Sequence, residues 1–186
     1  MRLMEFVKTL KQTKILKYLF IALIGSILLA ISSKIKIPFY PVPMTMQTFV
    51  ILFIGIAFGW RLGLLTVCLY LFEGMIGLPV FSGTPEKGLG LIYFTGPTMG
   101  YLIGFILTVY LAGKFTYDSN LFKTFLKLVF AISFIYILGA LWLGNLIGWE
   151  KPIFKLGVHP FLLAELFKII IITLLANQIK KIRQII

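Results

Sequence analysis

Two ionisable residues, Glu165 and Lys168, lie inside an apolar stretch of the chain, HPFLLAELFKIIII at residues 159–172. Because ionisable groups are costly in hydrocarbon, such side chains usually face a cavity or a partner. A spacing of three residues places both on one face of a helix, where the carboxylate accepts hydrogen bonds and the ammonium group donates them. The pair therefore indicates a buried site for a small polar ligand. The alternative is a structural ion pair that only holds helices together.

Motifs for catalysis or metal binding are missing from the sequence. It contains no GxxxxGK[ST] phosphate-binding loop, no HExxH motif and no GxSxG nucleophile elbow. The only histidine, His159, is interpreted as a helix cap or surface residue, and the only cysteine, Cys68, as a packing residue. We therefore expect no enzyme activity, no cofactor and no metal site.

The composition is typical of a membrane protein. Of the 186 residues, 60% are hydrophobic and 13% are charged, and the mean hydropathy is +1.02, whereas soluble domains are about half apolar and a quarter charged. The apolar runs are continuous, which favours helices over a β-barrel. A net charge of +12 would suggest nucleic acid as the partner of a soluble protein. Here the basic residues flank apolar runs, so the expected partner is the lipid bilayer.

The hydrophobic pattern predicts an all-α integral membrane protein, with one domain over residues 1–186 that forms a bundle of six transmembrane helices. A basic cytoplasmic segment, residues 1–14, could lie along the membrane surface. The apolar stretch over residues 44–76 is too long for one span of about 20 residues, so we predict two short spans joined by a tight turn at residues 59–63. The predicted spans are residues 15–32, 44–59, 62–76, 97–113, 125–144 and 160–179.

The distribution of basic residues predicts the orientation of the bundle. With both termini in the cytoplasm, 12 of the 18 lysines and arginines fall on the inner side and five in outer loops, while Lys168 lies in the membrane. An excess of positive charge marks the cytoplasmic side. We therefore predict a multi-pass protein of the cytoplasmic membrane.

A long glycine- and proline-rich outer loop connects the third and fourth predicted spans. Residues 74–96 read GMIGLPVFSGTPEKGLGLIYFTG, with many apolar side chains between the glycines and prolines. A solvated connector would carry less apolar surface, so we expect the loop to fold over the outer end of the bundle as a lid. The alternative is a linker that merely plugs this face. Thr98, just after the loop, is available to cap a helix or to bind a ligand.

Small residues recur every four positions in the first span, at Ala22, Ser26 and Ala30. Such a stripe lets another helix approach closely. The partner helix could belong to this chain or to another protein, and the stripe alone does not decide between them.

Three motifs together resemble one family of membrane proteins. They are PVPMTMQTF at residues 41–49, GLPVFSGTPEKGLGLIYFTGPTMGYLIGF at residues 77–105 and HPFLLAELFK at residues 159–168. The chain is identified by them as a member of the BioY family, the biotin-specific S components of energy-coupling factor (ECF) transporters. The resemblance implies capture of biotin from outside the cell. It also implies partners, namely a transmembrane subunit that docks on Ala22, Ser26 and Ala30, and two ABC ATPases that supply the energy.

The resemblance also implies roles for individual residues. Glu165 would accept from the ureido N–H groups of biotin, and Lys168 would donate to the ureido carbonyl. The remaining predicted ligand-binding residues lie in the other two motifs: Gln47, Phe81, Ser82, Gly83, Thr84, Tyr93 and Thr98. The sequence departs from the family pattern twice, because Glu165 replaces the usual aspartate and Met99 a usual glycine. The alternatives are an S component for another vitamin, or a membrane enzyme or assembly factor.

Overall fold

The computed structural model describes the backbone of residues 2–186 and the side chains of residues 14–186. The helices are α1 (Arg2–Lys34), α2 (Gln47–Met75), α3 (Met99–Lys114), α4 (Leu121–Ile147), α5 (Ile153–Gly157) and α6 (Leu162–Ile185). Two 3₁₀ turns, Gly90–Thr95 and His159–Phe161, precede α3 and α6. Between α1 and α2, strand β1 (Lys36–Ile37) pairs antiparallel with β2 (Met44–Thr45).

Helix α2 is folded back on itself at Gly59, where φ is 75° and ψ is 172°. Glycine adopts this conformation without the steric cost that a Cβ atom imposes. The Gln47 amide donates to the Tyr70 hydroxyl at 2.7 Å, although these residues would be about 34 Å apart in a straight helix. The first arm, residues 47–58, and the second arm, residues 60–75, therefore run antiparallel. The predicted turn at residues 59–63 begins at this break.

Helix α3 packs between α2 and α4 through glycines. A Cβ atom added to Gly104 would lie 2.5 Å from the Cα of Ile135, and one added to Gly100 would lie 2.3 Å from the carbonyl oxygen of Leu138. Backbones approach this closely only where side chains are small. This close approach sets α3 and α4 side by side, and both helices border the core of the bundle near the outer loop.

The loop between α2 and α3 spans residues 76–98; we keep the name outer loop for it, after its predicted side of the membrane. It is fastened to the end of α1. The Lys34 ammonium donates to the carbonyl oxygen of Phe81 at 2.9 Å and to the hydroxyl of Thr84 at 3.0 Å. The Ser33 hydroxyl donates to the carbonyl oxygen of Val80 at 2.7 Å. The loop therefore lies over the helix ends and does not project away from them.

Four helical segments of the described chain are long and apolar enough to cross a membrane: Lys14–Lys34, Gln47–Met75, Leu121–Ile147 and Ile153–Ile185. Helix α3 is apolar but shorter. Helix α1 runs without a break through residue 15, where the sequence analysis placed the boundary of a separate surface segment. The Lys17 ammonium donates to the carbonyl oxygen of Ile185 at 3.2 Å, so the part of α1 around Lys17 lies beside the end of α6.

Candidate functional site

A small cavity of about 50 Å³ lies beneath the outer loop. It is bounded by β2 and the start of α2, by the outer loop, and by α3, α4 and α6. Of the predicted ligand-binding residues, six line it: Gln47, Phe81, Ser82, Tyr93, Thr98 and Glu165. The fold thus brings together side chains from all three sequence motifs.

The two carboxylate oxygens of Glu165 have different surroundings. Oε1 accepts from the Thr48 hydroxyl at 2.8 Å and from the Lys168 ammonium at 2.8 Å. Oε2 is buried and has no hydrogen-bond partner. Buried polar atoms are nearly always paired, so an unpaired carboxylate oxygen on a cavity-lining residue is a position where a ligand can donate a hydrogen bond.

Lys168 does not line the cavity, unlike Glu165. Its ammonium group donates to the carbonyl oxygen of Thr45 at 2.6 Å, to the Thr48 hydroxyl at 3.0 Å and to Glu165 at 2.8 Å. A lysine has three N–H donors, and these three bonds use all of them. In this arrangement Lys168 positions the carboxylate of Glu165 and neutralises its charge. No N–H group of Lys168 is left for the predicted hydrogen bond to a ligand.

Thr48 was missed by the sequence analysis, although it bridges the pair. Its hydroxyl donates to Glu165 and accepts from Lys168. The only available signal was its position next to Gln47 at the start of α2, since one hydroxyl in an apolar helix carries no chemistry by itself. The bridge fixes the carboxylate to the first arm of α2.

The outer loop contributes a second unpaired polar atom, the hydroxyl oxygen of Ser82, which is buried without a partner. Ser82 is held by its backbone, whose carbonyl oxygen accepts from the Tyr93 hydroxyl at 2.8 Å. Burial raises the pKa of the Tyr93 phenol. The Phe81 ring stacks on Tyr93 with the ring centroids 4.7 Å apart. The loop therefore contributes two aromatic rings and the Ser82 hydroxyl to the cavity wall.

The other two predicted residues of the loop, Gly83 and Thr84, do not line the cavity. Thr84 bonds the carbonyl oxygen of Phe81 and the ammonium group of Lys34. Gly83 has a φ of 81° and lies against the side chain of Lys87. Both residues therefore shape the loop, and neither lines the cavity.

Four aromatic residues outside the predicted set complete the cavity wall: Tyr101, Phe105, Tyr136 and Phe161. The Tyr101 hydroxyl donates to the carbonyl oxygen of Gly157 at 2.8 Å. In the sequence these residues resemble ordinary membrane-helix aromatics, so no local pattern could separate them from lipid-facing ones. The wall is mainly apolar, with Glu165 and Ser82 supplying unpaired polar atoms.

The small-residue stripe of α1 packs inside this chain. Ala22 and Ser26 are fully buried, whereas Ala30 is partly exposed. The Ser26 hydroxyl donates to Glu73 on the second arm of α2 at 2.9 Å. Of the three residues predicted to dock a partner, only Ala30 therefore has accessible surface.

The comparisons with known proteins agree with the fold and the motifs. The sequence model of the BioY family matches residues 6–185. The chain belongs to the BioY family. It is 31% identical over 157 residues to the probable biotin transporter BioY of Pyrococcus horikoshii, covering 82% of this chain and 90% of the relative. It is 33% identical over 156 residues to the biotin transporter BioY of Thermotoga maritima, covering 83% and 90%.

A solved structure shares the fold of this BioY chain. It is the crystal structure of the S-component for biotin from an ECF-type ABC transporter, with a TM-score of 0.74 and 26% identity, covering 91% of this chain and 93% of that one. The resemblance found from the three motifs is therefore confirmed, as is the helical membrane-protein class. The BioY relatives are named as transporters and not as enzymes.

Proposed function

We propose that this protein captures biotin in the membrane, as the substrate-binding S component of an ECF-type ABC transporter. The observation that carries the proposal is the buried, unpartnered Oε2 of Glu165 in a cavity with an aromatic wall. The names of its BioY relatives and of the matching S-component structure support biotin as the ligand.

Biotin matches the two buried polar atoms of the site that lack a hydrogen bond, Oε2 of Glu165 and the Ser82 hydroxyl. Its ureido ring carries N–H donors and a carbonyl acceptor, and its sulfur ring is apolar. A ureido N–H group donates to Oε2 of Glu165, and the Ser82 hydroxyl donates to the ureido carbonyl. A hydrogen bond to a carboxylate in a dry site is stronger than one between neutral groups. The ring system lies against Phe81 and Tyr93.

Lys168 and Thr48 act as positioning residues in this proposal. They hold Oε1 of Glu165 by two hydrogen bonds of 2.8 Å, which leaves Oε2 as the ligand's acceptor. A lysine beside the carboxylate also keeps the site electrically neutral, which lowers the cost of burying it. This role replaces the direct contact between Lys168 and biotin that was expected from the sequence.

Binding requires the cavity to widen. A volume of about 50 Å³ has room for about four water molecules at roughly 10–15 Å³ each, which is less than the two fused rings of biotin need. The wall that moves in this proposal is the outer-loop segment with Phe81 and Ser82, because it is fastened mainly by side chains such as Lys34 and Tyr93. The loop then acts as a lid.

The proposal includes the membrane topology of the chain and its assembly with partner subunits. The chain crosses the cytoplasmic membrane six times when the two arms of α2 count as separate spans, with both termini in the cytoplasm. Its end with Lys17 and Ile185 carries the basic residues expected on that side. A transmembrane subunit and two ABC ATPases energise transport, and Ala30 is the part of the predicted stripe that a partner can touch without displacing α1.

Calorimetric titration of the detergent-purified protein with biotin tests the site, with riboflavin and thiamine as controls. We expect saturable binding of biotin alone. Glu165→Gln should abolish the high-affinity component, whereas Glu150→Gln, a matched change in an exposed loop residue, should leave it unchanged. Failure of well-folded wild-type protein to bind biotin would contradict the proposal, and binding of another vitamin would redirect it.

A further inference from the structure

A second and larger cavity lies at the opposite end of the bundle from the biotin site. It has a volume of about 600 Å³ and lies between α1, the Gly59 turn of α2 and the end of α6. We call it the terminal groove and define it by Tyr18, Trp60, Arg61, Leu65 and Arg183, all of which line it. None of these residues contributes to the proposed biotin site.

The groove contains two guanidinium groups that form no ion pair with any side chain of residues 14–186. Arg61 lies over the Trp60 ring, 5.1 Å from its centroid. Arg183 donates through Nη2 to the carbonyl oxygens of Gly55 and Ile56 at 3.0 and 2.8 Å. Within residues 14–186, the only ion pair joins Glu165 to Lys168. Arg183 is therefore held against the backbone of the first arm of α2, while Arg61 is exposed beside Trp60.

The surroundings of the groove have the character of a membrane interface. Trp60 is 38% exposed and Tyr18 is 46% exposed, and amphipathic aromatics of this kind lie at the level of lipid headgroups. Leu65, 40% exposed, extends the groove with an apolar surface. Lys14 and Lys17 on α1, with Lys180 and Lys181 on α6, add positive charge at this end. An occupant with a negative head and an apolar tail fits this combination.

We propose that the terminal groove binds an anionic phospholipid, with its phosphate on Arg61 and Arg183 and an acyl chain along Leu65. Arginine matches phosphate through paired N–H donors, and basic pockets between membrane helices bind anionic headgroups. The lipid connects α1 at Tyr18, the Gly59 turn and the end of α6. It therefore stabilises the end of the bundle that lies away from the ligand.

Native mass spectrometry of the full chain tests the site. The protein is exposed to equal amounts of phosphatidylglycerol and phosphatidylcholine, and the bound lipids are counted. We expect wild type to retain phosphatidylglycerol preferentially. Arg61→Gln should lower this retention about fivefold, the change expected for loss of one cation near a lipid surface. Lys123→Gln, the same charge change at an exposed residue of α4, should leave it unchanged.

The remaining outcomes separate the other possible occupants. Equal retention of both lipids by wild type would overturn the proposal, as would an equal loss in the Lys123 variant, which would indicate diffuse attraction to the surface. Displacement of the lipid by millimolar inorganic phosphate would overturn lipid specificity in favour of a general anion site. A further outcome would be that Arg61→Gln no longer binds the energising subunits but retains lipid as wild type does. That result would overturn the lipid proposal and assign the groove to an acidic protein partner. Biotin titration of the same variant should be unchanged, which keeps this test separate from that of the proposed function.

Discussion

Replacing Lys168 with methionine separates the structural and the ligand-binding parts of the site. The substitution keeps an unbranched apolar stem in a residue that is 7% exposed, but it removes three hydrogen bonds, to Thr45, Thr48 and Glu165. Of the three groups that bind one another here, Glu165 and the Thr48 hydroxyl remain, joined by one hydrogen bond of 2.8 Å. The variant therefore loses the neutralising charge while the walls of the cavity stay in place.

The size of the effect follows from the burial of the pair. Removing one partner of a buried ion pair costs about 3–5 kcal/mol, because Glu165 at 4% exposure cannot be hydrated. For a chain of this length such a loss lowers the midpoint of thermal unfolding by about 6–20 °C. Biotin affinity should fall at least about tenfold, equivalent to ~1.4 kcal/mol, since the carboxylate is no longer held with Oε2 towards the ligand.

The double variant Glu165→Gln/Lys168→Met gives the decisive comparison. Removing both charges of a buried pair is often close to neutral for stability, so its unfolding midpoint should return towards that of wild type while biotin binding stays lost. Thermal unfolding and calorimetry in the same detergent measure both quantities, and Lys123→Met serves as an exposed control. If the double variant is as unstable as the sum of the single variants, or if Lys168→Met binds biotin as tightly as the control does, the positioning role is wrong.

Substitutions at four further positions, Ser82, Gly74, Ala22 and Ala30, test the loop and the stripe. Ser82→Ala should lower biotin affinity about fivefold, for one lost hydrogen bond of ~1 kcal/mol, without lowering the unfolding midpoint; an unchanged calorimetric affinity would refute the contact. Gly74→Ala should weaken biotin binding because the new Cβ would lie 2.0 Å from the Phe81 ring. A matched change at Gly96, where the nearest atom is 3.1 Å away, should have a smaller effect. Ala22→Leu should lower the unfolding midpoint with no partner present, whereas Ala30→Leu should leave it unchanged and reduce co-purification with the energising subunits.

The sequence predicted the ionisable pair because charge inside an apolar run is unusual. Because burying an ionisable side chain in hydrocarbon is costly, Glu165 and Lys168 were expected to share one site that is shielded from lipid. The spacing of three residues placed both on one helix face. The break in the apolar stretch over residues 44–76 was predictable for a similar reason, since its length exceeds one span. In both cases a stretch of sequence that does not suit a single lipid-exposed helix indicated the tertiary arrangement.

The arrangement of hydrogen bonds around the pair could not be predicted in the same way. The pattern shows that Lys168 needs acceptors, but only the fold brings Thr45 and Thr48 to within 3.0 Å of it. The stripe of α1 illustrates the same difficulty, because small residues permit close packing without specifying the partner. The fold supplies that partner from this chain, since Ser26 meets Glu73 on the second arm of α2.

The unequal surroundings of the two oxygens of Glu165 bear on selectivity as well as on stability. With Oε1 committed to Thr48 and Lys168, a ligand meets a single negative acceptor, Oε2, in a mainly apolar cavity. A ligand group that lacks N–H or O–H donors leaves this atom unpaired, which costs free energy, and a ligand carboxylate is repelled by it. Bound biotin would therefore direct its ureido ring towards Glu165 and its own carboxylate away from it. The lysine makes this selection possible by neutralising the site without occupying the acceptor that the ligand uses.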